Sequence, residues 1–212
     1  CGMGGDLFAL VHDGDEVVAL NSSGRAGSGA DPAVLRDEGH ATMPLRHDIR
    51  SVTVPGCVDG WLALHARFGS LPLERLLAPA IDLAERGFAA SPLLVGSVAR
   101  LDERGRRQLA ELASQATAVG AVVRRPGVGR ALRTIAIRGR DGFYGGEFGE
   151  GLVALGAGQH AASDLATPLA TWEEPLTASV FGVDMHTIRP NSQGYLTLAG
   201  AIAVVLHETA AT

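Results

Sequence analysis

Hydrophobic and polar positions alternate along the chain first with the period of a strand, then with that of a helix. Leu7 to Val11 is apolar, HDGD carries an Asp13-Gly14 turn pair, and Glu16 to Leu20 is again β-branched and apolar, so the opening segment predicts a β-hairpin. The stretch NSSGRAGSGADP follows. Small, polar and glycine-rich, it has no side chains to bury and predicts a loop over the surface or across a site. Val58, Trp61, Leu62 and Phe68 fall on one helical face, with Gly69 where a left-handed residue ends a helix. Pro72 and Pro79 each suit a first helical turn, so SLPLERLLAPAIDLAERG predicts two short helices in tandem that bury Leu76, Leu77, Ile81 and Leu83 and stop at Gly87. Ser91 before Pro92 starts a further helical stretch through Ala116, in which Asp102 to Arg107 reads as a solvated face.

Pro126 opens a third helical region ended by Gly139, Phe143 and Tyr144 lead into a short helix, and Ser163 with Asp164 starts another turn. The segment EEPLTASVFGVDMHTI predicts a second hairpin turning at Phe181-Gly182. NSQGYLTLAGAIAVVL runs from a polar turn into an all-apolar helix, Leu196 to Leu206, where Gly200 would allow close backbone packing. Trp61 and Trp172 read as core residues. With no internal repeat and no linker, the pattern fits one α/β body with strands near its ends and helices in its middle, or a lobe of a larger fold.

Composition narrows the chemistry. A chain of 212 residues with 46% hydrophobic positions can pack a core, while 19% charged residues, a net charge of -5 and a mean hydropathy of +0.17 fit neither a disordered tail nor a basic nucleic-acid binder. All 18 basic residues are arginine. Schiff-base lysines, a Walker lysine and a Ser/Lys dyad are therefore excluded. Cys1 and Cys57 are too few and too far apart for a disulfide framework or a thiolate metal site. The histidines never form an HxxxH or HxH pair, so no metal is expected, and His40 and His47 read as solvated loop residues. No stretch reaches the roughly 20 apolar residues of a membrane span. The sequence opens at Cys1 without a charged or apolar leader, which points to a segment cut away upstream and leaves the cellular compartment open. The glycines at 2, 4 and 5 invite a phosphate-loop reading, but such a loop needs a strand before it and a helix after it. Here the strand comes after, so the run reads as a tight turn where another backbone approaches.

Taken together, these segments resemble the γ-glutamyltranspeptidase superfamily of N-terminal-nucleophile (Ntn) hydrolases. CGMGGDLFALVHDGDEVVALNSSGRA resembles that family's opening hairpin, and SVTVPGCVDGWLALHARFGSLPLERLLAPAIDLAERGFAAS its long central signature. DGFYGGEFGEGLV and EEPLTASVFGVDMHTIRPNSQGYLTLAGAI match two further stretches in the family's order, and the likeness is weakest from Arg100 to Arg125. The resemblance implies an α/β (α+β) fold: residues 1–212 would be a single partial domain, a large-subunit piece of an αββα sandwich that supplies its helical layer and edge hairpins. It also implies a precursor that cuts itself and a small subunit that begins with threonine, whose hydroxyl attacks a γ-glutamyl or related acyl amide and passes the acyl group to water or an amine. The resemblance implies no cofactor.

No threonine of this chain, Thr209 and Thr212 included, stands in the family's junction context, so no catalytic residue is assigned here. The nucleophile is expected on the small-subunit segment, and this chain alone is expected to be inert. The resemblance offers Arg25 as the partner of a substrate α-carboxylate, a task suited to planar guanidinium. Transpeptidases proper follow that arginine with an acid; here Ala26 follows, and a gapless match sets Ser23 opposite the family arginine. Arg25 is thus either a substrate arm or a loop brace, and the missing acid favours an acylase or amidohydrolase. Asn191, Ser192 and Gln193 replace a polar family turn, where they would either orient the acyl group or cap a helix start. The alternative is a non-catalytic homologue that binds a small carboxylate or serves assembly. An isolated lobe would leave its last helix and edge strands uncovered, so self-association is expected.

Overall fold

The computed structural model describes residues 2–44 and 47–210, the last three by backbone alone, so Cys1, Thr212 and the side chain of Thr209 lie outside it. In chain order the elements are β1 (Leu7–His12), β2 (Val17–Ser22), α1 (Pro32–Asp37), α2 (Cys57–Phe68), α3 (Leu73–Arg86), β3 (Phe88–Ala89), α4 (Pro92–Ala99) and α5 (Glu103–Gln108). They continue with α6 (Ala110–Gln115), β4 (Val122–Val123), α7 (Pro126–Tyr144), α8 (Glu147–Leu155), α9 (Ala162–Ala166), β5 (Thr171–Glu173), β6 (Leu176–Val180), β7 (Val183–Thr187) and α10 (Tyr195–Ala210). Two compact units result: Cys1–Ala26, Thr53–Phe68 and Thr167–Thr212 form one, Gly27–Val52 and Gly69–Ala166 the other.

The first unit is built on an antiparallel sheet of order β1-β2-β5. The expected hairpin is present, with Leu10 opposite Ala19, and it turns where the Asp13 carboxylate accepts the Asp15 and Glu16 amides at 3.1 Å each and Gly14 takes φ 117°. β2 is the buried centre, with Val18, Ala19, Leu20 and Ser22 inside. Its third neighbour, β5, spans three residues, with Leu20 opposite Trp172, and leaves no periodic signal in the sequence. Burial of Leu20 and Val58 removes roughly 2 kcal/mol of apolar hydration cost per side chain.

α2 meets the sheet through its first turn, where Cys57, Val58, Asp59 and Gly60 are buried, rather than along the whole expected stripe; Phe68 is 39% exposed. The approach requires glycine: a Cβ at Gly56 would sit 2.0 Å from the Ser22 carbonyl oxygen. Ser22 Oγ donates to Gly56 O at 2.7 Å, and the buried Asp59 carboxylate accepts the Leu169 amide at 2.9 Å, which ties β2 and the β5 segment to α2. Trp61 and Trp172 are half-buried rather than core residues, and Trp172 carries the Arg67 guanidinium 4.6 Å above its ring. The second hairpin, β6-β7, turns at Phe181 and Gly182 with φ 54° and 75°, as its residues predicted. α10 buries Leu198 and exposes Leu196, Ile202, Val204 and Leu206. Gly200 gives no close packing, since a Cβ there would meet nothing within 4 Å.

In the second unit α3 packs on α7. α3 is one helix of 14 residues running through Pro79, not two in tandem. The ring removes a single backbone hydrogen bond, and burial of Ile81 and Ala84 keeps the segment continuous, while Leu76 and Leu83 remain exposed. Within α7, Gly139 at φ 57° and ψ -132° ends the first helical run where the sequence placed its stop, and a second run after the break buries Phe143 and Tyr144. The Ser91–Ala116 stretch is three helices, because Asp102 takes an extended backbone and caps α5 by accepting the Gly105 amide at 2.7 Å. Its charged run is exposed, as read from the sequence. The two-residue strands β3 and β4 were not anticipated. Neither was α1, although Asp31 before Pro32 is a start signal and its carboxylate accepts the Ala33 amide at 2.8 Å. Among the described residues no helix is long and apolar enough to cross a membrane.

Candidate functional site

A cleft of about 450 Å³ opens in the first unit where the chain leaves β2. Asn21, Ser23, Gly24 and Arg25 form one wall, Leu169, Thr171 and Glu173 another, and Pro190 with Asn191 closes the third side.

Backbone crowding fixes the Arg25 wall. A Cβ at Gly24 would lie 2.4 Å from Thr53 Oγ1 and 2.5 Å from the Val54 carbonyl oxygen, so only glycine passes. One residue on, Arg25 pairs with Val54 across an isolated bridge, its carbonyl accepting the Val54 amide at 2.8 Å. Asp6, where the glycine-rich turn meets β1, accepts the Gly24 amide at 2.7 Å through Oδ1 and the Ser23 hydroxyl at 3.4 Å through Oδ2. The turn behaves as its glycines suggested: the Cys57 amide donates to Gly5 O at 2.8 Å, a close approach of a second backbone.

The side chains form a hydrogen-bond chain with a fixed direction. Asn21 Oδ1 accepts the Ser23 amide at 3.1 Å, so its Nδ2 is the end that donates to Asn191 Oδ1, at 3.3 Å. Asn191 Nδ2 in turn donates to Ser23 Oγ at 2.6 Å, and the Ser23 proton is left for Asp6 or the Gly24 carbonyl. Arg25 stands outside this chain. It is exposed, and its guanidinium has no hydrogen bond or ion pair with the described residues. Glu173 supplies a carboxylate to the same cleft and accepts the Arg189 amide at 3.3 Å. A cation without a local partner, beside amide donors and one carboxylate, suits a small ligand bearing a carboxylate group.

Of the four residues singled out from sequence, Arg25 and Asn191 share this cleft. Ser192 and Gln193 brace the start of α10 instead: Ser192 Oγ accepts the Gly194 amide at 3.2 Å, and the Gln193 carbonyl accepts the Leu196 amide at 3.0 Å. Asp6, Asn21, Ser23 and Glu173 were missed. Asp6 had a visible signal, a lone acid closing a glycine run, and Asn21 and Ser23 stand where an apolar strand turns polar.

The other polar groups do not compete for a chemical role. His47 is no freely solvated histidine: its ring bridges Asp102 Oδ2 at 2.8 Å and Gln108 Oε1 at 3.3 Å. His40 is exposed beside Glu38, as expected. Cys57 is free and buried, and burial first, then the nearby Asp6 charge, pushes its thiol pKa up, the opposite of what a nucleophile needs. Among the described residues no three His, Cys, Asp or Glu side chains are grouped to hold a metal. The Ser23 hydroxyl accepts the Asn191 amide at 2.6 Å and faces the Asp6 carboxylate at 3.4 Å.

The gamma-glutamyltranspeptidase family model matches residues 1–211. The chain is 30% identical over 213 residues to the glutathione hydrolase-like YwrD proenzyme of Bacillus subtilis, covering 93% of this chain and 39% of the relative. It is 32% identical over 214 residues to the oxamate amidohydrolase proenzyme of Klebsiella pneumoniae, covering 93% and 40%. Among solved structures, the gamma-glutamyltranspeptidase of Pseudomonas nitroreducens superposes with a TM-score of 0.83 at 26% identity, covering 98% of this chain and 64% of that one. The mixed helix-and-sheet fold is that of this Ntn-hydrolase group. The chain spans about two fifths of the length of the curated relatives it matches.

Proposed function

Because this chain belongs to the gamma-glutamyltranspeptidase family, we propose that it is a large-subunit segment of an Ntn amide hydrolase or acyltransferase, one partial domain of a longer precursor, and that its cleft holds the carboxylate end of a γ-glutamyl or related acyl amide. The observation that carries the reading is the Arg25 guanidinium, without a local partner in a cleft rimmed by the Asn21 and Asn191 amides. A bidentate guanidinium–carboxylate pair there would orient the acyl group, while the attacking threonine and the oxyanion donors arrive on the small-subunit segment. The relatives' description as proenzymes supports such a partner, and so do the apolar side chains that α10 exposes. Ala26, rather than an acid, after Arg25 supports hydrolysis or acylase activity over transfer between glutamyl acceptors.

The test is turnover of a γ-glutamyl anilide by the precursor that contains this chain, compared with the Arg25→Ala variant. Saturable hydrolysis with a KM about tenfold higher in the variant is the expected result. Carboxylate binding without any turnover by the precursor would instead establish a non-catalytic binding module.

A further inference from the structure

We infer that Asp6 is a positioning residue for Arg25, acting through the Ser23-Gly24 peptide; the inference rests on the reading of Arg25 as the carboxylate-binding arm. Asp6 never needs to touch the ligand. Its two carboxylate oxygens take different partners on consecutive residues, the Gly24 amide at 2.7 Å and the Ser23 hydroxyl at 3.4 Å, and so fix the peptide that leads directly into Arg25. Thr53, Val54 and Asp6 itself crowd Gly24 closely enough to forbid any Cβ there. The Arg25 backbone is then fixed downstream by its bridge to Val54. Held by Asp6 on one residue and by Val54 on the next, the backbone has a fixed path into Arg25 and so a fixed point from which the guanidinium departs.

Direction matters as much as distance. In the chain from Asn21 through Asn191 to Ser23, the Ser23 oxygen accepts from Asn191, so the hydroxyl proton is turned towards Asp6 or the Gly24 carbonyl. An ionised carboxylate is the stronger acceptor of the two. Without it the Ser23 hydroxyl turns to the Gly24 carbonyl, and the Gly24 amide loses its partner. Arg25 would keep its charge and lose its aim.

The experiment compares two anilides in the processed enzyme that carries this chain: γ-glutamyl anilide, and 4-aminobutyryl anilide, which lacks the α-carboxylate. Asp6→Ala should raise KM for the first about tenfold, change kcat less than about threefold, and leave the second within about twofold. Asp6→Asn, which can still accept the Gly24 amide, should restore KM to within about threefold of the unaltered enzyme. In the Arg25→Ala background Asp6→Ala should add nothing, because there is no guanidinium left to aim. Should Asp6→Ala fail to fold, Asp6→Glu, which displaces the carboxylate by one methylene, should produce the same selective rise in KM. Equal losses on both anilides, or additive effects of Asp6→Ala and Arg25→Ala, would overturn the inference. If Arg25→Ala leaves KM for γ-glutamyl anilide unchanged, the reading of the cleft fails and this inference with it; if Arg25→Ala raises KM and Asp6→Ala does not, the inference on Asp6 alone is lost.

Discussion

Asn191 donates its side-chain amide to the hydroxyl of Ser23 at 2.6 Å, joining two positions 168 residues apart in sequence. Ser23 and Asn21 stand on one wall of the cleft and Asn191 closes the other, so this bond and the one from Asn21 to Asn191 tie the two together. Asn191→Ala removes both this donor and the acceptor used by Asn21. Its unfolding free energy in a urea titration should fall by about 1 kcal/mol. Asn191→Asp, whose ionised side chain has no proton to donate, should lose as much above pH 5 and recover part of it where the carboxyl protonates.

Gly56 and Gly200 offer a matched pair of glycine substitutions with opposite signs. A methyl at Gly56 would be driven into the Ser22 carbonyl oxygen at 2.0 Å, whereas one at Gly200 would meet nothing within 4 Å. Gly56→Ala should lower stability by about 2–3 kcal/mol. Gly200→Ala, inside α10, should raise it by about 0.5–1 kcal/mol through helix propensity. Thermal melts of the two variants, run beside the unaltered chain, read out both directions.

Acid sensitivity should have a signature at Asp48. The Arg50 guanidinium, hydrogen-bonded to this carboxylate at 2.6 Å, lowers its pKa to about 2, and the Arg50 amide adds to the effect. A depressed carboxylate stabilises the folded chain fully above its unfolded pKa of about 3.9, and that contribution is lost as pH falls from there towards 2. An NMR titration should place the Asp48 carboxyl near 2, and near its ordinary value in Arg50→Ala.

Cys57 should be inert. With its thiol buried and its pKa raised, labelling by a maleimide at pH 7 in a Cys1→Ser background should be slower than in urea by several orders of magnitude, since only the open chain exposes a reactive thiolate. Rapid labelling of the folded chain would contradict its burial.

How much of this was legible in the sequence depended on the range over which each feature is determined. The two hairpins, the cap at Ser91, the helix start at Pro126 and the stop at Gly87 are local, set by turn chemistry within a few residues, and the structure has them where the residues said. The division of 70–87 into two helices failed because a mid-helix proline is settled by burial of Ile81 and Ala84 on α7, a contact no local window contains. β5 is three residues long and exists only because β2 is beside it. The site divides in the same way. Arg25 and Asn191 were legible through the family resemblance. Asn21 and Ser23 are joined to Asn191 by bonds that cross from one end of the chain to the other, and Asp6 reaches Ser23 and Gly24 across the whole β1-β2 hairpin. Ser192 and Gln193 occupied a suggestive position, yet their bonds close a local turn.

Every group that rims the cleft is referenced to one strand. Arg25 continues β2, Thr171 and Glu173 are carried by the strand paired to it, and Asn191 is bonded to Asn21 and Ser23 at its end. The long excursion between Ala26 and Thr167 supplies none of them. Thr53 and Val54 hold the Gly24-Arg25 segment and Asp59 holds Leu169, so it is the loops between Gly69 and Ala166 that can lengthen, shorten or drift in sequence without moving the groups that line the cleft. A single-residue slip of β2 would displace Asn21, Ser23 and Arg25 at once, which makes that strand the part of the chain where insertions and deletions are least tolerated.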